Sequence, residues 1–155
     1  MKSDSPTRRE FCTRACGIVG LTALGSALQA CGAAGPAGPS FVPALPTVTA
    51  APGSGVVTLT VDSSSPLAAV GSAALVRSGS AVFLVARTAQ DSFSALTSMC
   101  THEACTITGF DSETFVCPCH GSRFDTSGRV LSGPATRGLR TYQTRFSGDV
   151  LTISL

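Results

Sequence analysis

The sequence predicts an all-β, antiparallel fold, and three observations carry that expectation. Apolar residues and Thr alternate with period two in "VVTLTV" at 56–61, the pattern of a half-buried strand. The other apolar runs of the second half are short and are punctuated by Gly, Pro and Ser. Nowhere does a stripe of 3.6-residue period mark a long amphipathic helix.

The elements follow in chain order. "TRREFC" at 7–12 sets two arginines before a Phe, and a mildly apolar run from Ala15 to Leu28 follows. About 14 apolar residues behind a basic start fit an export signal over 1–30, and are too few to cross a bilayer core of about 20 residues. Thr7, Arg8, Arg9 and Phe11 resemble a twin-arginine signal. "LQAC" at 28–31 resembles a lipobox, which implies a lipid anchor on Cys31 and a protein tethered outside the cytoplasm. Residues 31–55 are rich in Pro and Gly and read as an extended tether without a core.

The folded part is expected at 56–155. Strands are predicted at Val56–Val61, Ala73–Arg77, Ala81–Thr88, Thr106–Thr108, Thr114–Cys117, Leu139–Phe146 and Val150–Leu155, with a short helical turn near Ser92–Leu96. "SGS" and "SGD" read as hairpin turns. From residue 31 onward seven arginines face seven acids, so the net charge of +2 belongs to the first 30 residues. A neutral folded part excludes the basic excess that nucleic acid would demand.

The seven cysteines and two histidines are distributed unevenly. "CTHEAC" at 100–105 and "CPCHGS" at 117–122 hold four of the cysteines and both histidines. Two Cys thiolates with two imidazoles suit either zinc or an iron–sulfur centre. A four-ligand zinc site leaves Cys105 and Cys119 without a task.

Cys-x-His in one loop and Cys-x-x-His in a second resemble the Rieske iron–sulfur family. The resemblance implies an antiparallel Rieske-type sandwich with a small cluster-binding subdomain of two loops, and one [2Fe–2S] cluster as cofactor. It assigns Cys100 and Cys117 to one iron, and His102 and His120 to the other. It implies a Cys105–Cys119 disulfide of the high-potential subgroup, which includes cytochrome bc-type and arsenite-oxidase-type subunits. Ser122 matches a hydroxyl donor to the cluster. Phe124 stands where high-potential relatives place a Tyr donor, and Gly133 and Pro134 match the loop that covers the cluster. The missing Tyr hydroxyl implies a moderately positive potential inside the family's range of about −150 to +300 mV.

No nucleophile, general base or substrate pocket is legible outside these ligands, so no catalytic residue is expected. The expected function is a one-electron carrier that takes electrons from a quinol or a redox protein and passes them to a cytochrome-like acceptor. It could serve as the iron–sulfur subunit of a quinol oxidoreductase. The alternatives are the small subunit of an arsenite-oxidase-like metalloenzyme and a non-redox, zinc-stapled interaction module. Box one of quinol-oxidising relatives reads Cys-Thr-His-Leu-Gly-Cys, whereas this chain has Glu103 and Ala104 at the Leu and Gly places. A carboxylate there disfavours an apolar docking pocket.

Overall fold

The computed structural model describes residues 42–155. The signal at 1–30, Cys31 and its expected lipid, and the tether up to residue 41 lie outside the described residues. Thirteen strands are formed: β1 Thr47–Thr49, β2 Ala51–Pro52, β3 Val56–Thr60, β4 Ala73–Ser78, β5 Ala81–Ala89, β6 Ser92–Thr97 and β7 Gly109–Asp111, then β8 Thr114–Val116, β9 Arg123–Asp125, β10 Val130–Ser132, β11 Thr141–Tyr142, β12 Thr144–Ser147 and β13 Val150–Ser154. The all-β expectation holds. Among the described residues no helix is long and apolar enough to cross a membrane.

The strands form three sheets. The five-stranded sheet runs β1-β4-β5-β6-β11, and two four-stranded sheets run β12-β13-β3-β2 and β10-β9-β8-β7. The five-stranded sheet lies between two cores, and strand alternation divides its side chains between them. Ala74, Val76, Phe83, Val85, Phe93 and Ala95 join Val57, Leu59, Leu151 and Ile153 in one core. Leu75, Leu84, Ala86 and Leu96 join Phe115, Phe124, Ile107, Cys100 and Cys117 in the other. Burial on both faces explains why "AALV" and "FLVAR" read as unbroken apolar runs rather than as alternating strands.

Four expectations need correction. The expected helical turn at Ser92–Leu96 is strand β6, whose Phe93, Ala95 and Leu96 are wanted by the cores on the sheet's two faces; tertiary burial overrides local preference. Thr106–Thr108 is not a strand: Thr106 makes only an isolated bridge to Met99, and pairing starts at Gly109. The single strand expected at Leu139–Phe146 is two, because β11 pairs with β6 and β12 with β13 in a different sheet.

The fourth concerns the tether. The fold begins before Val56, and residues 42–52 stitch all three sheets together. Ala44 bridges Gly109, the Leu45 N–H donates to the Thr108 carbonyl at 2.7 Å, and the Phe110 N–H donates to the Pro43 carbonyl at 3.0 Å. Next, β1 pairs in parallel with β4, and β2 pairs with β3. A Cβ on Gly109 would meet Val42 Cγ1 at 2.8 Å, so glycine is what lets the segment lie this close. Pro and Gly mark this stretch as unstructured, yet the Pro43 carbonyl accepts the Phe110 N–H and the Pro46 carbonyl accepts the Leu75 N–H, and proline supplies an acceptor as well as any residue. The expected boundary at Val56 therefore comes too late.

Asp125 shapes the β9–β10 turn, where its carboxylate accepts the Ser127 and Arg129 N–H groups at 2.9 Å each. Burial alone would push its pKa up; the bonds from Ser127 and Arg129 outweigh that and hold it below the ordinary carboxylate range. Its contribution is therefore full at neutral pH and disappears only as acid protonates it.

Leu45, 7% exposed, belongs to the core that also holds Cys100 and Cys117. Leu45→Ala is expected to lower unfolding free energy by about 2–4 kcal/mol, read from the denaturant midpoint. A tether residue would change it by less than about 0.5 kcal/mol.

Candidate metal centre

Both boxes lie in loops that connect strands, and each loop closes on its own first cysteine. The Ala104 N–H donates to the Cys100 carbonyl at 2.9 Å, and the Cys100 N–H donates to the Cys105 carbonyl at 2.8 Å. In the second loop the Gly121 N–H donates to the Cys117 carbonyl at 3.1 Å, and the Cys117 N–H donates to the Ser122 carbonyl at 2.9 Å. The same offsets, four and five residues, recur in both. The turn position is left-handed in each, with φ +52° at Ala104 and +72° at Gly121. Residue 104 is thus the counterpart of glycine 121 but carries a Cβ.

This closure directs the side chains. Cys100 and Cys117, at 3% and 2% exposure, point into the core beside Phe115, Phe124 and Ile107. Burial pushes the Cys117 thiol above its ordinary pKa, and the adjacent Cys100 thiol adds to the rise, against the Cys119 and His120 N–H groups. A metal ion bound there must displace that proton. His102 and His120 stand further out, their rings edge to face at 4.9 Å between centroids, with 27% and 47% of the side chains exposed. His102 Nδ1 is buried and has no hydrogen-bond partner. A buried imidazole nitrogen with no hydrogen-bond partner fits a metal donor, because such a group is otherwise costly to bury.

A disulfide joins Cys105 in the first loop to Cys119 in the second, across 14 residues of sequence. The Cys117 sulfur lies within 4.8 Å of both bridged sulfurs. The third loop leans on the second. Ser122 is fully buried, and its Oγ accepts the Ala135 N–H at 3.1 Å, which leaves the hydroxyl proton free to donate. Gly133 has φ +96°, and a Cβ there would sit 2.6 Å from Ser122 Cα. Gly133 therefore lets its loop lie directly against box two. Phe124 is fully buried in β9, opposite Phe115 of β8.

The disulfide, the facing imidazole rings and the Ser122–Ala135 bond bring both boxes and the loop after Gly133 together. Three contributors were not foreseen from sequence. One is Thr101, whose hydroxyl donates to the Arg137 carbonyl at 2.6 Å and pins the first loop to the chain after the third. Ala104 in its left-handed conformation is another, hinted at by its place opposite the Gly of quinol-oxidising relatives. Leu45 in the core that holds the thiols is the third, hidden by the prolines around it.

Fold and site together define an all-β protein with two sulfur donors inside and two nitrogen donors outside, on loops tied by a disulfide. The comparisons narrow this class. The family model described as "Rieske [2Fe-2S] domain" matches residues 58–143, more than half of the chain. The chain is similar to the cytochrome b6-f complex iron-sulfur subunit of Chlorobaculum thiosulfatiphilum, 36% identical over 61 residues that cover 39% of this chain and 34% of that protein. It is similar to the cytochrome b6-f complex iron-sulfur subunit 2 of Nostoc sp. (strain PCC 7120), 45% identical over 56 residues, 36% of this chain and 32% of that one. Among solved structures it resembles the cyanobacterial plasma membrane Rieske protein PetC3 from Synechocystis PCC 6803, with 32% identity and a TM-score of 0.53, covering 63% of this chain and 99% of that chain. The chain spans about a third of the length of the curated relatives it matches. It belongs to the Rieske [2Fe-2S] domain family, and its cofactor is a single [2Fe–2S] cluster.

Ala104 holds a backbone conformation that costs a residue with a Cβ about 1–2 kcal/mol. Ala104→Gly relieves this but adds disorder to the unfolded chain, so a net gain of about 0.5–1 kcal/mol is expected. The thermal midpoint should rise. A fall would mean that the two loops are not equivalent in conformation.

Proposed function

We propose that this chain is a one-electron carrier in which Cys100 and Cys117 bind one iron of the cluster, and His102 and His120 bind the other. The observation that carries this reading is the inside–outside split of the donors: two thiols in the core, two imidazole rings toward solvent. The bound cluster accepts and returns a single electron at a potential raised by its neutral nitrogen ligands.

The protein's own residues do the rest. Buried thiols exclude water from the inner side, and Phe115, Phe124 and Ile107 keep the surroundings apolar. The Cys105–Cys119 bridge holds the two loops at a fixed spacing, so little has to reorganise when the charge changes. Ser122 has a proton available for a sulfur of the cluster, and the loop at Gly133 and Pro134 shields that side. His102 and His120 form the accessible edge through which an electron enters or leaves.

In this reading the protein is exported by the twin-arginine-like signal at 1–30 and tethered through a lipid on Cys31. Its donor is a quinol or a redox protein, and its acceptor is a cytochrome-like protein. The names of the b6-f subunits and of the plasma membrane relative support a membrane-associated redox chain.

Purified holoprotein is expected to contain two irons and two acid-labile sulfides per chain, and His102→Ala or His120→Ala should abolish its visible colour while leaving a folded protein. Zinc in place of iron and no sulfide would defeat the proposal. Phe124→Tyr is expected to raise the midpoint potential by about 40 mV, the one-electron equivalent of a hydrogen bond of about 1 kcal/mol. An unchanged potential with a loss of about 1–3 kcal/mol in stability would show a stranded hydroxyl instead.

A further inference from the structure

Residues 100–105, 117–122 and 132–135 contain one formally charged side chain, Glu103, with Arg123 and the exposed Arg137 flanking them. The Glu103 side chain is 61% exposed. One carboxylate oxygen lies 4.0 Å from His102 Nε2 and the other 3.7 Å from His120 Nδ1, so the group spans both imidazole rings. Among the described residues no arginine pairs with it: the two arginine ion pairs are Arg123 with Asp111 at 3.7 Å and Arg129 with Asp125 at 3.1 Å. The loop holds it in place from both sides, through the Thr101 hydroxyl bond to Arg137 and the closing Ala104 N–H bond to Cys100.

Residues 42–155 carry seven arginines, seven acids and no lysine, for a net charge of zero. Net charge therefore favours neither sign of partner, and Glu103 is the charge on the ligand loops themselves. Covering Glu103 with an apolar ring would strip its water and offer no counter-charge, which is costly. A surface bearing Lys or Arg would keep it paired and would speed encounter.

We infer that Glu103 is a specificity-determining residue of the electron-exchange edge, selecting a redox protein whose docking surface is basic. The inference rests on the electron-carrier reading and adds the class of partner. The step is outer-sphere: one electron leaves the reduced protein and reduces the partner's haem iron from ferric to ferrous, and no atom moves between them.

The test compares wild-type holoprotein with Glu103→Gln and Glu103→Lys. Stopped-flow rates are measured with a basic cytochrome c and with anionic ferricyanide as oxidants, across ionic strength. Affinity is measured separately with a zinc-porphyrin form of the same cytochrome, which cannot accept the electron. The wild-type rate with cytochrome should fall as salt rises. Glu103→Gln should lower that rate and affinity roughly two- to fivefold at low salt, the worth of one exposed ion pair, and flatten the salt slope. Glu103→Lys should favour ferricyanide. The salt slope separates docking from any change in driving force. A wild-type slope and affinity in Glu103→Gln overturns the inference, as does a short-chain quinol that reduces wild type no more slowly than Glu103→Gln. A protein without iron defeats the underlying reading instead, and the zinc-porphyrin binding arm still reports on Glu103.

Discussion

Each donor loop folds back onto its own first cysteine, and the rest of the site depends on that closure. Two backbone hydrogen bonds per loop, at identical offsets, take up the polar groups at Cys100 and Cys117. Their thiols can then enter an apolar core without leaving buried N–H or carbonyl groups unpaired. The same turn swings the following histidine outward. Inside sulfur and outside nitrogen are thus two consequences of one loop geometry, used twice. The disulfide acts on top of it: by the chain-entropy account a bridge across this separation stabilises by about 3 kcal/mol, and it ties together loops that share no strand.

The three-sheet body exists to hold those loops still. The five-stranded sheet is covered on both faces, and the core that takes Leu75, Leu84 and Leu96 also takes the two thiols. Residues 42–52 close the arrangement by touching each sheet in turn. Val42 thus lies beside Gly109, at the edge strand of the sheet whose β8–β9 connection carries box two.

Much of this was legible in the sequence, and unevenly so. Both boxes stood out because Cys and His are scarce elsewhere, and their spacing is set by the closure of the loops. Strands β3, β4, β5, β8 and β13 were visible through apolar runs that end at Gly, Pro or acidic turn residues. Strand β6 was not: "SFSALT" has no distinctive pattern, and only the sheets on either side of it make it a strand. The split of 139–146 into β11 and β12 was equally hidden, because a change of sheet leaves no mark on apolar periodicity. The stitching segment misled most. Its prolines signal a linker, whereas Pro43 and Pro46 occupy positions where the backbone accepts a hydrogen bond.

Pulsed electron-spin resonance of the reduced holoprotein tests the asymmetric donor arrangement most directly. Two directly bound imidazole nitrogens should give two strong ¹⁴N couplings, with one lost or altered when either histidine is replaced by a ligand-competent cysteine. A single coupling, or none, would contradict the account, since the cluster would then be held by sulfur alone or by other groups.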